Sequence, residues 1–379
     1  MLKTVGILGG GQLARMLALA GKPLGLDFVF LDPAEDACAA SLGQHIHADW
    51  DNENALIELG NLSGVVTFDF ENVPQKSASL IESLCPVYPP PSALYVSQDR
   101  LREKSLMLEL NIPVTPFLPV SSRQELMLAV EQIGLPVVLK TRRLGYDGKG
   151  QAVLRFPEDM ERAWQALGDH ELICEGFVNF EAECSIIAAR GKDGATVYWP
   201  LTRNLHREGI LAISMAPAFD QDLQSRARSL IARLMDHLDY VGVMALELFI
   251  KDGELLANEF APRVHNSGHW TIDAAHTSQF ENHLRAICGM PLGDTGNTSL
   301  AIMFNLLGEM PQCAIQQSGM QASPENVHWH DYHKAPRLNR KIGHVTICAQ
   351  SESGLKARSA QLAAELGVAA ELNLAAILK

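Results

Sequence analysis

Nowhere along this 379-residue chain do lysine and arginine gather into a run, no two cysteines form a CxxC pair, and no apolar stretch approaches the ~20 residues that cross a bilayer. Each absence excludes something. With 31 Lys plus Arg against 44 Asp plus Glu, a net charge of −13, neither a nucleic-acid-binding surface nor a basic membrane-docking face is expected. The N-terminal apolar run is broken by Gly9-Gly10-Gly11-Gln12 and by Arg15, which does not read as a secretion signal, so a cytoplasmic protein is expected. Seven cysteines, mostly inside apolar strings, read as reduced buried thiols. Walker A spacing and internal repeats are also missing.

What is present describes a globular chain too long for one core, so two or three domains are expected. Lys3 to Leu8 reads as a buried strand, followed by a glycine turn and a helix with Leu13, Met16 and Leu17 on one face; a second strand, Phe28 to Leu31, ends at Asp32. Gly9, Gly11 and Ala14 satisfy G-x-G-x-x-A, which also suits a dinucleotide-binding oxidoreductase. Val65 to Phe68 gives another strand, and the stiff PVYPPP at 86–91 marks a domain boundary. Beyond it come helices over Asp99 to Leu110 and Glu125 to Ile133, and a strand from Pro136 ending at Lys140. The polar TRRLGYDGKGQAVL then reads as a hairpin tip whose glycines at 145, 148 and 150 and cations Lys140, Arg142, Arg143 and Lys149 suit a polyphosphate, or as an ordinary exposed hairpin. Further strands follow at Leu172 to Glu175 and Glu183 to Arg190. Ala301 to Leu307 and Ile342 to Cys348 also read as strands, and a final helix starts at Gly354.

The segment GVMALELFIKDGELLANEFAPRVHNSGHW, Gly242 to Trp270, carries two carboxylates in an otherwise apolar or small-residue hairpin. A two-residue Asp-Gly turn would set Glu247 and Glu259 on opposite faces; a three-residue Lys251-Asp252-Gly253 loop puts them on one face, diagonal to each other, and is the expectation. Two clustered anions with open space above alanines 245, 257 and 261 suit Mg²⁺ carrying phosphate oxygens; the alternative is two solvated glutamates.

In order, the Rossmann-like opening, the lysine-ended strand before a glycine-rich hairpin, the glutamate-ended strand and the carboxylate hairpin resemble the ATP-grasp superfamily. Four motifs, GxGQLxRM (Gly9 to Met16), GYDGKGQ (Gly145 to Gln151), NEFAPRVHNSGHW (Asn258 to Trp270) and RKIGH (Arg340 to His344), resemble the 5-(carboxyamino)imidazole ribonucleotide synthase family. The resemblance implies an α/β and α+β chain with the ATP-grasp fold: a Rossmann-like N-terminal (pre-ATP-grasp) domain at 1–98, an ATP-grasp domain at 99–295 with a lid at about 117–184, and a small C-terminal subdomain at 296–379. It implies a ligase that carboxylates the amine of 5-aminoimidazole ribonucleotide with ATP and bicarbonate through carboxyphosphate, the carboxyl passing to the amine directly or through released CO₂, in de novo purine biosynthesis. An ATP-grasp ligase or transferase with another acceptor, such as a formate-dependent glycinamide ribonucleotide transformylase-like enzyme, is the alternative.

The resemblance also assigns positions. ATP would be held by Arg100, Lys140, the lid Gly145-Tyr146-Asp147-Gly148-Lys149-Gly150-Gln151, the adenine edge Glu175-Gly176-Phe177-Val178, and Glu183, His206, Asn258 and Glu259. Metal, Mg²⁺ or Mn²⁺, would sit on Glu247 and Glu259, and no biotin is expected. Arg263, His265, Asn266 and Ser267 would hold bicarbonate, and Gln12, Leu13, Lys334 and Arg340 the ribonucleotide. Tyr146, Asp147, Arg263, His265 and Asn266 would serve catalysis, Asp147 taking the amine's proton. Asp147 also suits a plain turn, and Lys334 and Arg340 also suit solvated charge. A homodimer is implied. Histidines 328, 330 and 333, and 265 and 269, have spacings that suit zinc, but no cysteine or carboxylate completes either set convincingly, and Trp329 and Tyr332 suggest packing around the first, so no zinc centre is expected.

Overall fold

The computed structural model describes residues 3–145, 149–311 and 326–366. Three sheets organise them. The first is parallel, in the order Gln44–His47, Asp27–Asp32, Thr4–Leu8, Val65–Phe68. Thr4–Leu8 lies between two partners and is buried along nearly its whole length, which is why its sequence is a continuous apolar run rather than an alternating one. Helix Gln12–Gly21 buries Leu13, Met16 and Leu17 in a core shared with Phe280 and Leu284 of helix Gln279–Cys288. Thr67 and His283 add a buried hydrogen bond of 2.8 Å between the same two parts of the chain.

The second sheet is antiparallel, in the order Phe117–Val120, Leu172–Gly176, Val137–Thr141, Gln151–Leu154. Helices Arg123–Ile133 and Asp159–Leu167 share its core, the first started by Ser122, whose hydroxyl accepts from the Glu125 amide. The third sheet has nine strands and runs from Glu254–Ala261 through Gly242–Lys251 and Ala182–Arg190 to the C-terminal strands. Leu300–Gly308 pairs with Ile210–Ala216, and Arg337–Ala349 and Val327–Asp331 follow, so the last third of the chain extends the sheet that carries the carboxylate hairpin.

That hairpin departs from expectation at its turn. Lys251 pairs with Glu254, leaving a two-residue Asp252-Gly253 turn with φ of +52 and +73°, the left-handed pair that a tight hairpin turn needs. Strand alternation alone would then separate the two glutamates. It does not, because the register shifts between Glu247 and Leu248: Leu248 faces Ala257, Glu247 faces Glu259, and Asn258 is the extra residue of a bulge. Glu247 and Glu259 therefore share a face directly opposite each other, not diagonally.

Candidate active site

The paired carboxylates open into a cleft lined also by Glu71, Arg100, Arg263 and His265. Arg100, at the start of helix Arg100–Glu109, donates through Nη1 to Glu259 Oε2 at 2.6 Å. Burial opposes ionisation of Glu259, yet Arg100 overrides it and holds this carboxyl well below the usual range. Glu247 has the opposite fate: burial and the charge of Glu259 push it up to about 7. Its neighbour is His265, with Nε2 3.3 Å from Oε1, and burial, reinforced by Arg263, drives that imidazole down to about 3, so it stays neutral. Among the described residues Glu247 forms no ion pair with lysine or arginine. An oxygen-only pair, one member of which has no fixed cation, fits a hard divalent ion.

A second charge cluster lies where the lid sheet meets the hairpin. Glu175 Oε2 takes Lys140 Nζ at 3.0 Å and Lys104 Nζ at 3.4 Å, while Lys104 also donates to the Ala257 carbonyl at 3.3 Å. Burial opposes the charge of Glu175, but Lys140 and Lys104 hold it down at about 2. Its other oxygen is buried with no partner among the described residues. Next in the chain, the Gly176 amide donates to the Pro116 carbonyl and its carbonyl accepts from Thr115, while the Phe177 amide donates to Pro136, so these three backbone groups are already committed. Glu183 accepts from His206 Nδ1 at 2.9 Å, and this bond outweighs burial to lift His206 to about 9.

The lid root carries a charge cluster of its own. Arg142 makes a two-pronged contact to Asp99, at 3.0 and 2.7 Å, and Arg143 reaches the same carboxylate at 3.5 Å. Both guanidiniums therefore pair with the N-cap residue of helix Arg100–Glu109. Gly145, Lys149, Gly150 and Gln151 flank the tip; Tyr146, Asp147 and Gly148 lie outside the described residues.

Beyond the carboxylates, Arg263 Nε donates to Glu71, and burial of that glutamate is outweighed by the guanidinium. His265 is fixed from three sides. Its ring Nδ1 is 2.8 Å from Ser267 Oγ, which in turn takes Ser185 Oγ at 2.6 Å, and both its backbone groups bond the Gln279 amide, at 2.8 and 2.6 Å. Ser267 is fully buried in this net. Asn266 follows with both side-chain polar atoms buried and without a partner among the described residues.

The glycine turn does not offer a dinucleotide site. Asp69 Oδ2 accepts from the Gly11 and Ala14 amides at 2.9 and 3.2 Å, so a protein carboxylate occupies the place where a pyrophosphate would meet the helix start. A Cβ at Gly9, whose φ is +112°, would stand 1.7 Å from Asp69 Oδ1. Asp32 is likewise committed, to the Gly10 amide at 2.7 Å. Beside this loop Gln12 Oε1 accepts from Lys334 Nζ at 2.5 Å, joining positions 322 residues apart; Leu13 is buried under the loop, and Arg340 donates to the Ala335 carbonyl.

Glu71, Asp69, Gln279, Lys104 and Glu103 escaped the sequence reading. Lys104 had a signal: it stands four residues after Arg100, on the same helix face. Glu103, buried, accepts from the Phe260 amide at 2.6 Å beside Glu259, and burial pushes its carboxyl up to about 8.

Three families match the chain in series: the ribonucleotide synthetase preATP-grasp domain at residues 2–98, the ATP-grasp domain at 105–280, and the phosphoribosylaminoimidazole carboxylase C-terminal domain at 301–358. The chain is similar to the N5-carboxyaminoimidazole ribonucleotide synthase of Pseudomonas aeruginosa, 48% identical over 360 residues that cover 95% of this chain and 98% of that one. The solved structure of the N5-carboxyaminoimidazole ribonucleotide synthetase from Thermus thermophilus superposes with a TM-score of 0.89 at 47% identity, covering 95% of this chain and 97% of that one. The Aspergillus clavatus synthase, in complex with ADP and 5-aminoimidazole ribonucleotide, gives a TM-score of 0.88 at 27% identity over 98% and 99% of the two chains.

Proposed function

The chain belongs to the N5-carboxyaminoimidazole ribonucleotide synthase family of the ATP-grasp superfamily, and from that membership we propose how its residues share out an ATP-dependent carbon–nitrogen ligation. The reaction carboxylates the amine of 5-aminoimidazole ribonucleotide with bicarbonate and ATP, giving the N-carboxy product, ADP and phosphate. Three domains, 1–98, 99–295 and 296–379, divide the work, a reading supported by the order and limits of the three family matches.

Lys140 and Arg100 take the nucleotide phosphates, releasing Glu175 and Glu259 from their present pairs. Because the Gly176 amide and carbonyl and the Phe177 amide are committed within the protein, an adenine edge falls to the Phe177 carbonyl and the Val178 amide. Glu183, hydrogen-bonded to His206, accepts from ribose hydroxyls. Glu247 and Glu259, with Asn258 beside them, hold Mg²⁺, which when bound neutralises phosphate charge during transfer.

Arg263, Asn266 and neutral His265 hold bicarbonate facing the terminal phosphate. Bicarbonate oxygen attacks the γ-phosphorus, the bond to ADP breaks, and carboxyphosphate forms. The ribonucleotide amine then bonds to the carboxyl carbon, phosphate leaves, and the amine's proton goes to Asp147, a role supported by the family resemblance alone. Ser267, Ser185 and Gln279 act by fixing the His265 ring and backbone. Lys334 and Arg340, with the backbone at Gln12 and Leu13, hold the ribonucleotide phosphate. Lid closure over Gly145 to Gln151 excludes water from carboxyphosphate. Family likeness supports a homodimer, which sedimentation equilibrium tests.

The observation that carries this reading is the facing Glu247/Glu259 pair opening into the same cleft as Arg263 and His265. ADP formation measured with MgATP and bicarbonate, with and without 5-aminoimidazole ribonucleotide, tests it. Turnover should depend strongly on the ribonucleotide; ADP release indifferent to it would contradict the assignment.

A further inference from the structure

The zinc reading set aside for want of a carboxylate returns once the chain is folded. Asp273, on helix Thr271–Ala274, lies against the sheet edge with both its oxygens on His330 Nε2, at 3.1 and 2.9 Å. His330 is the cross-strand partner of His344, and their rings stack at 4.3 Å. Asp273, His330 and His344 each offer one donor atom, and these atoms all lie within 4.8 Å of one another. His328, on the same strand face as His330, brings a fourth donor to 3.7 Å from Asp273 Oδ1.

His344 supplies an independent sign of a missing ligand. It is fully buried, its Nδ1 is 2.8 Å from the Tyr332 hydroxyl, and its Nε2 has no hydrogen-bond partner among the described residues. A buried ring nitrogen without a partner costs free energy unless something binds it. A tyrosine oxygen on the other nitrogen is the kind of outer partner that fixes a ligating histidine's tautomer.

We propose that Asp273, His330 and His344, with His328 at the open side, form a binding site for a borderline divalent transition-metal ion of the zinc class, separate from the Glu247/Glu259 pair. Mixed imidazole and carboxylate donors suit Zn²⁺ or Co²⁺ over Mg²⁺. The ion is structural in this assignment. It ties the strands Val327–Asp331 and Arg337–Ala349, whose connection carries Lys334, to the helix that follows His265.

The test is titration of the chelator-treated protein with Co²⁺ alone, followed by its visible d–d absorption, and competition by Zn²⁺. One equivalent should bind with a spectrum of nitrogen-containing coordination, and His330→Gln and Asp273→Asn should each weaken it at least about tenfold. Tyr332→Phe, which keeps the buried ring, should weaken it about 10- to 100-fold, and Glu259→Gln should leave it unchanged. Half-exposed His328→Gln serves as the variant least liable to misfold, with circular dichroism as the control. Absence of stoichiometric binding by the unaltered protein, equal binding by His330→Gln and Asp273→Asn, or loss in Glu259→Gln instead would each overturn the assignment.

Discussion

The Arg100 guanidinium stands 2.6 Å from the Glu259 carboxylate, so the cation assigned to phosphate and the anion assigned to metal neutralise each other. Binding MgATP is then an exchange of partners. Glu259→Gln removes the anion from that exchange and leaves Arg100 without its counter-charge. Ribonucleotide-dependent ADP formation should fall by about 10²- to 10³-fold, the scale of losing one electrostatic contact to a transferring group. A variant within about tenfold of the parent enzyme would argue against metal at this position.

Metal affinity should depend on pH through Glu247. Its carboxyl is pushed up to about 7 in the metal-free protein, and only the ionised form is a ligand. Protons therefore compete below about 7, weakening Mg²⁺ by about tenfold per unit of pH, with little change above 8. Fluorescence-detected Mg²⁺ titrations between pH 5.5 and 8.5 measure this, and the slope should vanish in Glu247→Gln.

Lys334→Ala should separate substrate binding from phosphoryl transfer. Losing one charged hydrogen bond is worth about 1.5–3 kcal/mol, which raises KM for the ribonucleotide about 10- to 100-fold. Saturating kcat should stay within a few-fold. Steady-state kinetics decide the matter, and a collapse of kcat at unchanged KM would refute the role.

Glu103 offers a stability test independent of turnover. Its carboxyl, pushed up to about 8 by burial, is neutral at pH 7 and accepts from the Phe260 amide. Glu103→Gln keeps an acceptor and should cost little; Glu103→Ala strands the amide and should cost about 1–3 kcal/mol in urea unfolding. Because the folded value is raised, the stabilising contribution is complete below the unfolded carboxylate value and is lost as pH rises toward about 8. Glu103→Gln should flatten that decline.

Local patterns foretold much of this molecule. Continuous apolar runs marked the buried strands, such as Thr4–Leu8, and the helix expected over Asp99 to Leu110 is found at Arg100–Glu109 with Asp99 as its N-cap. Glu247 and Glu259 were found because two acids in an apolar hairpin violate the usual pattern. What escaped was set by distance along the chain: Glu71 meets Arg263 across 192 residues, and Asp273 meets His330 across 57. Nothing in either neighbourhood announces the other. The dinucleotide fingerprint misled for the same reason, since Asp69, 58 residues after Gly11, fills the helix start that the glycines prepare.

The bulge at Asn258 makes the metal pair a matter of counting. The Asp252-Gly253 turn fixes the ladder from one end, and a single surplus residue shifts Glu259 by one place, onto the side where Glu247 waits. A ladder paired without the bulge would keep every acid, every alanine and the turn itself, yet set Asn258 opposite Glu247 and aim the Glu259 carboxylate through to the far surface of the sheet. Chemistry here hangs on an odd number.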